Sequence, residues 1–192
     1  MKTAVQPASV EPQPSVPAKG GVRSVHVIQG EYEISDNPEI VLSTILGSCV
    51  AVCLRDPGAK IGGMNHFLLP FGSGEDGNTE KYGAYSMEVL INALLKAGVR
   101  RHYLEAKIFG GGRMMQGLGD IGNSNVNFAR DFLECEGIPI ISESTGGLQA
   151  RRVKFWPVSG RAKQLLITPT DDLIEKPKLD LPPAETDDIE FF

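Results

Sequence analysis

Cysteine is scarce in this chain. Its 192 residues hold only Cys49, Cys53 and Cys135, an odd number with no Cys-x-x-Cys pair and no spacing suited to metal ligands. With no secretory signal in sight, that usage points to a reducing cytosol. Pro7, Pro12, Pro14 and Pro17 break any apolar run behind Lys2, so the N-terminal stretch reads as neither signal peptide nor anchor. No stretch approaches the roughly 18 uninterrupted apolar residues of a membrane helix; a membrane-protein partner would be met from solution, at its cytoplasmic parts. A basic stripe is also missing. The net charge is −5, and the last 22 residues hold eight acidic side chains against Lys176 and Lys178. The preceding 170 residues are nearly balanced, which argues against nucleic acid as the main partner. Gly110-Gly111-Gly112 is not followed by Gly-Lys-Ser/Thr, so it is no Walker phosphate loop. No internal repeat is visible.

What is there suits one globular domain: 41% apolar and 22% charged residues, at a length that buries one real core. Residues 1–22 carry four prolines and little apolar surface and are expected to form a disordered leader. SVHVIQGEYEIS alternates like a strand, and EIVLSTILG follows the Asn37-Pro38 turn signal. CVAVCLRD is a third strand, with Cys49, Ala51 and Cys53 on one face and Val50 and Val52 on the other. It is closed by Asp56-Pro57-Gly58 and followed by KIGGMNHFLLP, the second arm of an antiparallel hairpin. FGSGEDGNTEKYG reads as a long polar loop. Tyr85 to Ala97 has helical spacing, with Tyr85, Val89, Leu90, Ala93, Leu94 and Ala97 on the apolar stripe and Gly98 as the stop. HYLEAKIFG reads as a strand, Ile121 to Glu136 as a second helix, IPIISEST as a strand, and LQARRVKFWPV with AKQLLITP as a closing hairpin across Ser159-Gly160. Arg151 and Arg152 are expected on a solvated strand face. Strands with two helices between them indicate an α+β or layered α/β domain.

The chain is organised around Val41 to Pro70. It holds a Gly47-Ser48-Cys49 corner and, 17 positions on, His66. A free cysteine is usually a small buried hydrophobe, and a lone histidine is usually a satisfied structural residue. The setting favours more. A Gly-Ser step lets the backbone turn and present amide N–H groups of the kind that hold an oxyanion. The hairpin can bring His66 one strand over from Cys49, where an imidazole could activate the thiol. His26 has no thiol near it in sequence, and His102 follows Arg100 and Arg101 at a surface edge. The expectation is a thiolate–imidazole pair of Cys49 and His66.

Ser43-Thr44-Ile45-Leu46-Gly47-Ser48-Cys49-Val50 and Gly63-Met64-Asn65-His66 resemble the signature of the chemoreceptor glutamine deamidases, the CheD family. The resemblance continues through Lys107 to Gly112, Ile121 to Asn125 and Thr145-Gly146-Gly147, in the same order. It spans roughly residues 23–168, and the domain is drawn at 23–170. It implies a three-layer α/β sandwich with mixed, largely antiparallel strands and two main helices. It also implies a Cys–His–Thr/Ser set without metal or organic cofactor. The family's third member lies six positions before the cysteine, where this chain has Ser43. Thr44 is the adjacent alternative, and because strand neighbours face opposite sides only one can serve; the expectation rests on Ser43. Gln149-Ala150 departs from the family, which often has glycine before the Arg151-Arg152 pair.

The implied activity is hydrolytic conversion of glutamine side chains to glutamate on the cytoplasmic helices of methyl-accepting chemotaxis receptors, through a thioester on Cys49. A CheC-type phosphatase is implied as a second partner, and an adaptor role toward it is the alternative function. Gly110-Gly111-Gly112 is expected in a loop that shapes the substrate groove. Residues 171–192 read as an acidic flexible tail, whose Phe191-Phe192 end could dock to an apolar pocket with a basic rim.

Overall fold

Val50, Val52 and Leu54 point one way from their strand while Ala51 and Cys53 point the other, and both sets are buried. A strand with two apolar faces must be covered on both sides, and the fold supplies a cover for each. The computed structural model describes residues 21–70, 78–114 and 121–167. Its strands are β1 (Arg23–His26), β2 (Tyr32–Ser35), β3 (Ile40–Leu46), β4 (Val50–Asp56), β5 (Ile61–Asn65), β6 (Glu105–Gly110), β7 (Ile140–Thr145), β8 (Ala150–Phe155) and β9 (Ala162–Ile167); its α-helices are α1 (Asn78–Lys96) and α2 (Ile121–Cys135). One sheet has the order β1-β3-β8-β9 and the other β2-β5-β4-β6-β7. Only β1–β3 and β6–β7 pair in parallel, so both sheets are mixed and largely antiparallel.

Ala51, Cys53, Met64 and Phe109 of the five-stranded sheet meet Leu42, Leu46, Val153 and Phe155 of the four-stranded one. On its other face, Val50, Val52, Leu54 and Ile108 pack with Met87, Leu90 and Leu94 of α1 and Val126 and Leu133 of α2. The result is three layers, sheet on sheet on helices, as expected. Each fully buried aliphatic or aromatic side chain contributes about 1.5–3 kcal/mol to holding them together. The β4–β5 hairpin closes where predicted, with the Asp56 carboxylate accepting from the N–H groups of Gly58 at 2.8 Å and Ala59 at 3.0 Å.

Four expectations need correction. SVHVIQGEYEIS is two strands in different sheets, because the chain turns at Gly30 (φ +91°), a backbone value that glycine adopts without penalty. Helix α1 begins at Asn78, so the polar loop is shorter than its composition suggests, and residues 71–77 lie outside the described residues. The buried stripe of α1 runs through Ser86, Met87, Leu90, Ile91 and Leu94, whereas Tyr85 is 66% exposed; the two layers it must fill decide its rotation. Arg101–Tyr103 is a 3-10 turn ahead of β6. The N-terminal leader up to residue 20 and the acidic tail lie outside the described residues.

Candidate active site

Three successive carbonyls fix the corner before β4. Gly112 N–H donates to Gly47 O at 2.8 Å and Gly111 N–H to Cys49 O at 2.7 Å, while Asn125 Nδ2 of α2 donates to Ser48 O at 2.9 Å. Asn125 also accepts from Leu69 N–H at 2.8 Å, so one buried amide ties both arms of the organising stretch to the helix. The glycine triplet therefore backs the Cys49 corner. A Cβ on Gly110 would stand 2.2 Å from the Cys49 carbonyl oxygen. Cys49 itself is half-buried. Its own backbone N–H lies against its sulfur and stabilises the thiolate, but burial is the larger effect and pushes the thiol above its usual range.

His66 follows directly on β5. Cys53 pairs with Met64 and Val50 bridges to Phe67; the same register sets His66 opposite Ala51, on the face that carries Cys49. Cys49 and His66 are thus diagonal neighbours, a relation in which Cα atoms lie about 7–8 Å apart and longer side chains can meet. The ring is buried. Nδ1 lies 2.9 Å from Thr44 Oγ1 and 3.3 Å from the Val27 carbonyl oxygen. A carbonyl can only accept, which favours the tautomer with the proton on Nδ1 and leaves Nε2 as the basic nitrogen. Nε2 is buried without a partner among the described residues. Burial lowers the imidazole pKa, the Val27 carbonyl partly offsets this, and His26 lowers it further. Burial thus favours the neutral form of each group, and among the described residues no hydrogen bond joins the Cys49 sulfur, which donates to Gln29, to the His66 ring.

The expected third member, Ser43, is elsewhere. Its hydroxyl lies 3.2 Å from Ser24 Oγ on the exposed side of β3. Thr44 shares the inward face with Leu42 and Leu46, and its buried hydroxyl meets the imidazole. A one-residue step along a strand reverses the face, so Thr44, and not Ser43, is placed to orient the ring. Sequence reasoning missed Gln29 altogether. This exposed residue accepts from the Cys49 thiol, with Sγ to Oε1 at 3.4 Å. Cys53 is sealed in the intersheet core, where burial pushes its thiol far up despite nearby Lys107. Cys135 is exposed at the end of α2.

Arg151 also departs from expectation. It is 3% exposed and donates to the carbonyls of Ser144 and Gly146, whereas Arg152 is exposed. Arg151 shares the inward-facing side of β8 with Val153 and Phe155, so strand alternation puts it inside. Next to the corner, Gly111 lines a cavity of about 260 Å³ with Arg113, Thr145, Gly146 and Leu148. Among the described residues no cluster of three His, Cys, Asp or Glu side chains could hold a metal, and no helix is long and apolar enough to cross a membrane.

A family model described as "CheD chemotactic sensory transduction" matches residues 68–164. A protein of Caulobacter sp. (strain K31), named "Probable chemoreceptor glutamine deamidase CheD", is 55% identical over 179 residues, covering 90% of this chain and 95% of that one. A protein of the same name from Rhizobium leguminosarum bv. trifolii is 52% identical over 183 residues, covering 91% and 98%. The chain belongs to the CheD family. In this CheD-family chain the span matched by the family model begins two residues beyond His66, yet the full-length relatives cover most of the sequence on either side. Among solved structures, a hypothetical protein of Bacillus licheniformis, YfiH, is similar with a TM-score of 0.42 at 15% identity, over 67% of this chain and 61% of that one.

The CheD-like blocks noted in the sequence gather around one corner. Gly47 to Cys49 form it, Gly111 and Gly112 bind its carbonyls, Asn125 ties it to α2, and Thr145 and Gly146 line the neighbouring cavity.

Proposed function

We propose that this chain is a protein-glutamine deamidase acting on the cytoplasmic helices of methyl-accepting chemoreceptors, with Cys49 as nucleophile, His66 as base and acid, and Thr44 orienting the imidazole. The relatives' shared name supports the substrate class. The observation that carries the chemistry is the buried His66 ring, held at Nδ1 and free at Nε2, on the same sheet face as a half-buried thiol.

In the proposed reaction the Cys49 sulfur adds to the glutamine Cδ while its proton passes to His66 Nε2, and the carbonyl electron pair moves to oxygen. Collapse expels the amine, which takes the proton from His66 and leaves as ammonia, giving a thioester. Water, deprotonated by His66, then adds to that carbon and releases glutamate and the thiol. The net reaction consumes one water and releases one ammonia per glutamine. The cavity beside Gly111 would take the residues flanking the glutamine.

Cys49→Ala and His66→Ala should each abolish ammonia release from a receptor fragment, and Cys135→Ala should leave it unchanged. Wild-type turnover by Cys49→Ala would end the reading. An adaptor for a CheC-type phosphatase would instead keep its stimulation of that partner in Cys49→Ala, with no glutamate formed on the receptor.

A further inference from the structure

A deamidase must hold the oxygen that gains charge when the thiol adds to an amide, and such sites are built from preorganised donors. At Cys49 the residue's own N–H is a main-chain donor to the sulfur. The carbonyls of Gly47, Ser48 and Cys49 are all turned to other partners. Among the described residues, the side chain hydrogen-bonded to the sulfur is the carboxamide of Gln29.

Gln29 does not hang there loosely. The strap that carries it, from Val27 to Glu31, is fastened on both sides to the same histidine. Val27 O accepts at the His66 ring, Gly30 N–H donates to His66 O at 2.7 Å, and His66 N–H donates to Glu31 O at 3.0 Å. Val27 N–H also donates to Ser43 O at 2.9 Å. The backbone of Gln29 is thereby set by the residue that would take the thiol proton.

We propose, on the deamidase reading above, that Gln29 is a further catalytic residue whose carboxamide joins the Cys49 N–H in holding the oxyanion of the tetrahedral intermediate. In the resting site the thiol is a donor, so the carboxamide presents its oxygen. Once the proton has moved to His66 and the electron pair to the substrate oxygen, donors are needed at that spot. A half-turn about the last side-chain bond puts the Gln29 NH2 where its oxygen was. The bond that forms is Sγ–Cδ, and Gln29 supplies a hydrogen bond while giving up no proton. In the S–H···O contact the oxygen of Gln29 is turned to the sulfur.

The test compares Gln29→Ala and Gln29→Glu with wild type in ammonia release from the receptor fragment, alongside modification of Cys49 by methyl methanethiosulfonate, read at the Cys49 peptide. That reagent makes a disulfide at sulfur and forms no oxyanion. Both variants should lose about a hundredfold in kcat, with KM and the modification rate within about threefold of wild type. Unchanged or faster turnover overturns the proposal and makes Gln29 a bystander or a plug. A modification rate that falls as far as kcat overturns it too, placing the effect on the thiol alone. A Cys49-dependent gain of about one dalton at residue 29 makes Gln29 a substrate in cis and overturns it as well. Failure of the deamidase reading looks different: Cys49→Ala would then turn over normally whatever stands at position 29.

Discussion

At the scale of single residues, the site turns on which of two adjacent hydroxyls meets the imidazole. Thr44 does, at 2.9 Å and fully inside, while Ser43 pairs with Ser24 outside. Thr44→Val keeps the shape and removes the hydrogen bond, so kcat should fall about five- to tenfold, from the ~1–1.5 kcal/mol that such a bond contributes. Thr44→Ser should recover most of it, and Ser43→Ala should stay within about twofold of wild type. Steady-state ammonia release checks all three. The pH profile follows from the same ring. The proposed reaction needs neutral His66, and burial lowers its pKa from the ordinary 6.5. On acidification the ring resists its proton until the pH is below that ordinary value. The acid limb of kcat/KM should therefore have its midpoint below 6.5, with more than half of the full activity retained at 6.5. Stability carries the same sign: the unfolded chain takes up this proton first as pH falls through 6.5, so the folded state loses ground between 6.5 and the lowered value and keeps it above. A midpoint above 6.5 would contradict the buried, neutral ring.

At the scale of elements, the corner depends on the end of β6. Gly110 sits at φ +112° and pairs with Val50 on one side and Thr145 on the other. An alanine there meets both an unfavourable backbone region and the Cys49 carbonyl oxygen. Gly110→Ala should cost about 1–3 kcal/mol from backbone strain alone, measured by urea denaturation. It should also reduce turnover beyond that loss, because it displaces the peptide of Cys49, the proposed nucleophile. Elements were also where the sequence was most and least legible. The β4–β5 hairpin was readable because alternation, the Asp56-Pro57-Gly58 turn and the strand lengths all agree. The rotation of α1 was not, since Tyr85 and Met87 both suit an apolar stripe and only the packed layers choose Met87. The break at Gly30 was hidden by alternation that continues on both sides of it, although the two halves join different sheets.

For the molecule as a whole, the three-layer architecture was foreseen, largely from the resemblance, and the face shared by Cys49 and His66 followed from the hairpin alone. The remaining parts of the site were not legible because they come from outside that hairpin. Strand parity says that either Ser43 or Thr44 faces inward, but only the docking of one sheet on the other settles which. Val27 and Gln29 approach from the β1–β2 strap, more than 15 positions away from Cys49 in sequence, and no local pattern announces them. Arg151 reads as a surface cation until the end of β7 and Gly146 come to accept from it.

The imidazole belongs to one sheet and the hydroxyl that steadies it to the other. Competence for the proposed chemistry is then a property of the closed pair. A folding intermediate with the five-stranded sheet complete and the second sheet still adrift would own both sulfur and ring but lack the hydroxyl that steadies the ring, so a nascent chain should act on passing amides more slowly than the finished domain.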